Sequence, residues 1–198
     1  MAAKNLFTLD EFKEYKGIAN PENDDQITSL IARVSEFVKR YCGKTFVDYA
    51  TTNKVEYFDG FEESVFVDEY PIIKMVSVST SSDGGATYDG TLTEYTDYFV
   101  EYSTGEITSA LSSFLTSSSV AAGKSKRTLK IIYNGGYKKL PLDIKQAAMD
   151  LLEYYREAEY TPRKDFQGFS LENLGFRTGD SSSLPSHIKR VLDAYREL

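Results

Sequence analysis

The chain is 198 residues long, 41% hydrophobic and 27% charged, with 23 Lys and Arg against 30 Asp and Glu and a net charge of −7. That length suits one domain, or one domain with an embedded subdomain, and an aromatic content of 14% separates it from disordered sequence. A single cysteine, Cys42, excludes an intrachain disulfide and a Cys-cluster zinc site, and a single histidine, His187, excludes metal sites built from several His.

Helix signals come first in the chain. Thr8-Leu9-Asp10-Glu11 fits a capping box, with Phe7 and Phe12 flanking it as a hydrophobic staple and Gly17 as the stop. Past Pro21, Asn23-Asp24-Asp25 suits a helix start. Ile27, Leu30, Ile31, Val34, Val38 and Tyr41 then recur at helical spacing up to Gly43. The period then changes. Val55–Phe58, Ser64–Val67, Met75–Val78, Tyr98–Tyr102 and Leu129–Tyr133 are short β-branched and aromatic runs, punctuated by Asp59-Gly60, Asp83-Gly84-Gly85, Asp89-Gly90 and Gly105. Two long polar loops, Ser79 to Thr91 and the Ser-rich Ser109 to Arg127, are expected to be mobile and open to contact.

Helices return after Asn134-Gly135-Gly136-Tyr137. Pro141 is placed as a first helical residue, and Ile144, Ala147, Ala148, Leu151, Leu152 and Tyr155 form one apolar stripe. Periodicity is lost from Thr161 to Ser183. A last helix, from Pro185, carries Ile188, Val191, Leu192 and Tyr195, and Leu184-Pro185-x-x-Ile188-Lys189 repeats the start syntax of Leu140-Pro141-x-x-Ile144-Lys145. The expected fold is α+β: a helical frame of about four helices with an inserted antiparallel β-subdomain. Its parts are an N-terminal helical part (1–51), the β-subdomain with long loops (52–134), a helix completing the frame (135–160), a flexible arm (161–183) and a C-terminal helix (184–198).

Charge is unevenly placed. Residues 1–50 hold 7 basic and 8 acidic side chains, residues 51–128 hold 5 and 12, and residues 129–198 hold 11 and 10. The middle third therefore carries the imbalance. An acidic surface repels the phosphate backbone, so tight DNA binding is not expected. No apolar run approaches the roughly 20 residues of a membrane span, and the opening Met-Ala-Ala-Lys-Asn has no signal-peptide core. A cytosol-compatible protein is expected.

Catalytic equipment is thin. Gly123-Lys124-Ser125 resembles the end of a phosphate-binding loop, but Ser118 stands where the pattern needs Gly, and a strand rather than a helix follows. Ser186 and His187 are adjacent on a helix and so point about 100° apart. Cys42 falls in the last turn of a helix, where the dipole disfavours a thiolate. The acidic pairs Asp24-Asp25 and Glu62-Glu63 do not match a calcium loop. A glycosidase-like carboxylate pair needs distances that sequence does not give. No enzyme activity, cofactor or metal is expected.

The order of pieces resembles the tailed-phage head-tail connector, or adaptor, family. The run Asp24 to Ile31, continuing to Val38-Lys39-Arg40-Tyr41-Cys42-Gly43-Lys44-Thr45-Phe46, is similar to its early helix and Tyr-Cys-Gly-like turn before an aromatic. Tyr70-Pro71-Ile72-Ile73-Lys74-Met75-Val76 resembles its Pro-Ile-x-x-Val strand entry, and Tyr102-Ser103-Thr104-Gly105-Glu106-Ile107 its Gly-containing turn into a strand. Ile132-Tyr133-Asn134-Gly135-Gly136-Tyr137, then Leu140-Pro141-Leu142-Asp143-Ile144-Lys145, resembles its Tyr-x-x-Gly-Tyr and Leu-Pro-x-Asp-Ile segment. The likeness covers about residues 7–158 and leaves out the loops 79–91 and 109–127 and the tail.

The resemblance implies a structural virion protein of the head-tail junction, assembled in the host cytoplasm. Its copies form a ring, typically of twelve, beneath the portal protein after DNA packaging. The ring extends the channel for passing genomic DNA and offers a platform to a stopper or tail component, with no membrane involved. Within that role two surfaces stand out, each with two readings. Leu184, Ile188, Val191, Leu192 and Tyr195 dock onto the portal or a neighbouring subunit, or fold back onto their own core. Glu62, Glu63, Asp68 and Glu69 form an acidic channel surface past which DNA slides, or an outward solvated face. The 15 tyrosines suit subunit interfaces, with Tyr41 and Tyr155 assigned to the core. The competing functions are a head-closure or tail-terminator protein, and a soluble protein- or sugar-binding module.

Overall fold

The computed structural model describes residues 4–115, 126–164 and 184–196, without the side chains of 157–164. The Gly123-Lys124-Ser125 segment, the middle of the Ser-rich stretch (116–125) and residues 165–183 of the expected arm lie outside the described residues. The architecture is α+β, with four helices and two antiparallel sheets among the described residues. It divides into two compact units: Met1–Gly43 with Leu140–Leu198, and Lys44–Lys139.

The first unit is helical. α1 (Leu9–Lys16) opens on the capping box: Glu11 N–H donates to Thr8 Oγ1 at 3.3 Å and Thr8 N–H to the Glu11 carboxylate at 2.9 Å. Phe7 and Phe12, both buried, lie 6.3 Å apart between ring centroids. α2 (Asp24–Cys42) buries Ile27, Leu30, Ile31, Val34, Val38 and Cys42. Asn23 makes no side-chain cap there. Instead, Asp24 in the first turn pairs with Lys13 at 2.8 Å, close to the positive end of the helix dipole. Gly17 and Gly43 end the two helices with φ of 65° and 74°, left-handed values that carry little cost for glycine.

α3 (Leu142–Lys164) and α4 (Ser186–Tyr195) complete the unit. α3 thus runs four residues past the expected boundary at 160. Both prolines stand one position before the helix rather than inside it, because each offers its carbonyl to the first helical bond. Lys145 N–H donates to Pro141 O and Lys189 N–H to Pro185 O, each at 3.0 Å. The shared syntax has a shared result, since Ile144 and Ile188 are both buried.

The second unit is a two-sheet β structure. β1 (Lys54–Phe58), β3 (Ile72–Thr80), β4 (Gly90–Leu92) and β7 (Leu129–Gly135) form a sheet in the order β1-β7-β3-β4. β2 (Ser64–Phe66), β5 (Tyr98–Glu101) and β6 (Glu106–Ser109) form a second in the order β2-β6-β5. Every named pairing is antiparallel. The inner faces share one core: Val65, Ile107 and Tyr98 from the smaller sheet meet Ile72, Val78, Leu129, Ile131 and Tyr133 from the larger. Strand alternation sends the residues between them outward, except in β3, where register shifts between Ile72/Lys74 and Met75/Ser77 leave Met75 packed against the same core.

The loop expected from Ser79 to Thr91 contains the end of β3 and the first two residues of β4, so part of it is sheet. Its tip is organised by Asp83. That carboxylate accepts from Ser81 Oγ at 2.7 Å and from Ala86 N–H, Thr87 N–H and Thr87 Oγ1 at 2.9 Å each. These bonds, that from Ser81 first, hold its pKa far below the ordinary carboxylate range.

Candidate functional site

Two surfaces named from sequence can be located. On α4, Ile188 is 1% exposed and Leu192 0%, while Leu184, Val191 and Tyr195 are half-buried. A ten-residue helix is marginal alone, and this one is fastened within its own unit. Tyr41 Oη donates to Asp193 at 2.6 Å, Tyr195 Oη to the Asp143 carboxylate at 2.8 Å, and Cys42 Sγ to Leu192 O at 3.6 Å. The bond to Asp193, aided by burial, raises the Tyr41 pKa. Ile188 and Leu192 are thus core residues. The exposed residues of α4 are Ser186, His187, Arg190, Asp193 and Ala194; Val191 of the helix and Leu184 just before it are half-buried.

The acidic set, which flanks β2, separates by burial. Glu62, Glu63 and Asp68 are exposed. Asp68 pairs with Lys54 at 3.0 Å. Glu69 is 2% exposed, so it belongs to no surface; its carboxylate accepts the Thr45 N–H at 2.8 Å. Burial raises its pKa, and the Thr45 bond only partly offsets that. Sequence adjacency had joined Asp68 and Glu69, but the period-two run from Val65 to Glu69 turns 65, 67 and 69 inward. That alternation was the signal that could have removed Glu69 from the acidic surface.

Glu69 instead leads into a buried polar chain that composition did not reveal. Its N–H donates to Tyr133 Oη at 3.0 Å, and Tyr133 Oη donates to Glu56 at 2.7 Å. Glu56 pairs with Lys54 at 2.7 Å. Burial, then the bond to Glu56, drives the Tyr133 pKa far above the ordinary tyrosine value. Burial opposes the Lys54 charge, but its bonds to Glu56 and Asp68 outweigh it and raise its pKa. The Glu69 N–H, the Tyr133 hydroxyl and the Lys54 ammonium each have an acceptor in this chain. It is a structural brace.

A third feature went unpredicted. A groove of about 700 Å³ runs along α2, with Leu30 and Val34 in its lining, Phe37 and Tyr155 on its walls, and Arg33 and Arg40 beside them. Among the described residues, no three His, Cys, Asp or Glu side chains converge as a metal site, and no helix is long and apolar enough to cross a membrane. Ser186 and His187 are both exposed.

The family described as "Head completion protein" (HCP) matches residues 5–198. No curated protein matches the sequence. Among solved structures, a chain of "Neck of empty GTA particle computed with C6 symmetry" superposes with a TM-score of 0.63 at 11% identity, covering 100% of this chain and 93% of that one. A chain of "Virion of native gene transfer agent (GTA) particle" gives 0.59 at 12% identity, covering 98% and 90%. A chain of "Neck of native GTA particle computed with C12 symmetry" gives 0.53 at 14%, covering 100% and 96%. At such identities these likenesses establish the fold alone.

Proposed function

The chain belongs to the head completion protein family, and from that premise we propose that it is a structural protein of the virion neck, acting as a ring beneath the portal at the head-tail junction. The observation that carries this reading is the family match over residues 5–198. The whole-chain likeness to chains from neck particles described with C6 and C12 symmetry supports the ring. In this role the ring seats after DNA packaging, prolongs the DNA channel and receives the stopper or tail component. The work is done by surfaces, and no reaction or cofactor enters it.

Two contacts follow from the placement of side chains. The portal, or a neighbouring subunit, meets the outward edge formed by His187, Arg190 and Val191 of α4 with Leu184 just before it, since Ile188 and Leu192 are occupied in the core. Passing DNA meets Glu62, Glu63 and Asp68, whose like charge prevents the duplex from sticking. Reversing Glu62 and Glu63 to Lys is expected to slow DNA exit, and unchanged ejection retires that patch as a channel wall.

The test of the role itself is immunogold electron microscopy of purified particles with antibody to this chain. Gold at the head-tail junction is the expected result. Absence of label, with the chain also missing from disrupted particles by mass spectrometry, removes the virion reading.

A further inference from the structure

The outward faces of the two sheets carry opposite charge. In the larger sheet, register places Val55 and Tyr57 of β1 beside Ile132 and Lys130 of β7, and those beside Ser77 and Ser79 of β3. Lys74 lies opposite Asn134 farther along. No outward strand position in this set is a carboxylate. Tyr57, 40% exposed, is roofed by the Arg127 guanidinium at 4.4 Å and lies 5.7 Å from the Tyr88 ring. Lys130 Nζ lies 5.3 Å from the Tyr88 ring centroid. Arg127 reaches this position at a φ of 59°, a left-handed value unfavourable for a non-glycine residue, with its carbonyl accepting from Tyr88 Oη at 2.7 Å. Asp83, the nearby carboxylate, is already bound by its own loop.

The smaller sheet is the complement. Its outward positions are Ser64 and Phe66 of β2, Glu106 and Thr108 of β6, and Phe99 and Glu101 of β5. None is basic. Phe66 is 59% and Phe99 51% exposed. Glu101 and Glu106 stand directly opposite each other across the β5–β6 ladder, a like-charge pairing that strand neighbours normally avoid. Among the described residues neither forms an ion pair, nor does Arg127 or Lys130. Because the inner faces share one core, these two faces point away from each other.

We propose that the two faces are the halves of one self-association interface: Tyr57, Tyr88, Arg127 and Lys130 of one copy seat on Phe66, Phe99, Glu101 and Glu106 of the next. The occupant is a second copy because the chain supplies both halves, aromatic against aromatic and cation against carboxylate. A two-fold dimer through either face would set like charge on like, so the contact is head-to-tail. Such a contact propagates from copy to copy and closes into a ring when the rotation permits. That closure rests on the neck reading above, whereas the face-to-face contact does not. Three strands of three to four residues, about 4.8 Å apart, give a face on the order of 200 Å², small against the roughly 800 Å² per partner of a stable complex. Free chains therefore associate weakly, and closure strengthens the contact by making it multivalent.

The test is sedimentation equilibrium up to the highest soluble concentration, using the wild-type chain, Glu101→Lys/Glu106→Lys, Arg127→Glu/Lys130→Glu, and an equal mixture of the two variants. The first variant is basic on both faces and the second acidic on both. Each alone is expected to associate about tenfold or more weakly than wild type, and the mixture to regain association. Glu→Gln and Arg/Lys→Gln versions serve if a reversal unfolds the chain. They weaken association without rescue on mixing. A monomeric wild type, variants that associate as wild type, or a mixture that stays apart overturns the proposal. Wild-type dimers and open chains that never close sink the ring and keep this contact. Closed rings that survive both reversals sink this contact and keep the ring.

Discussion

The Phe46 carbonyl accepts the Tyr137 N–H at 2.6 Å, and the two rings stack with centroids 6.4 Å apart. This joins two motifs more than 90 residues apart in sequence, Lys44-Thr45-Phe46 and Gly135-Gly136-Tyr137. Phe46 sits at a φ of 62° and Gly136 at 91°. A Cβ on Gly136 would collide with the Phe46 carbonyl, and one on Gly135 with the Glu69 carbonyl. Gly136→Ala is expected to cost about 1–3 kcal/mol or more, from strain at positive φ with the collision added. Urea unfolding measures it, and an unchanged midpoint would show that the backbone has room there.

This junction marks how far the sequence could be read. Paired glycines signalled a turn or a close approach, but not which carbonyl they pass. Helix ends were legible because Thr8, Gly17 and Gly43 act within one turn of chain. The longer strands were legible from β-branched runs. β4, only Gly90-Thr91-Leu92, was not, because it exists by pairing with Val78–Thr80 rather than by its own pattern. The pairing of acidic side chains needed register. Glu101 and Glu106 become a pair only when β5 and β6 align, whereas the burial of Glu69 follows from the period-two pattern that runs from Val65 past the end of β2.

Tyr133 bridges the Glu69 N–H and the Glu56 carboxylate inside the β unit. Tyr133→Phe keeps the ring and removes the bridge, leaving a buried N–H without its acceptor. The expected loss is about 1–3 kcal/mol. Amide hydrogen exchange at Glu69 provides a local readout, and protection unchanged from wild type would mean that the hydroxyl bears no load.

Glu69 gives the stability of this protein a specific pH signature. Burial raises its carboxyl above the usual 4.5, so the native state holds its proton more tightly than the unfolded chain does. The resulting stabilisation is fully present below the unfolded pKa and lost as pH rises through the folded one. Glu69→Gln keeps an oxygen to accept the Thr45 N–H but cannot ionise. Its stability, set against wild type, is expected to gain on going from pH 4 to pH 7. Denaturant midpoints across that interval check this, and parallel curves would place the ionised carboxylate there without penalty.

The last prediction separates the core of α4 from its edge. Leu192 is fully buried and the helix is ten residues long, so its packing is what holds it in place. Leu192→Ala is expected to destabilise the chain by about 2–5 kcal/mol, the range for a buried leucine that leaves a cavity. Arg190→Glu, at an exposed position, is expected to change stability by less than about 0.5 kcal/mol. If the outer edge of α4 meets the portal, the same Arg190 variant, folded as wild type, fails to join DNA-filled heads in an in vitro completion assay. Were Leu192→Ala neutral for folding and the only one of the two to block joining, α4 would detach from its own unit in order to dock. The two variants therefore decide between a helix that offers its outer edge and a helix that swings out to offer its apolar stripe.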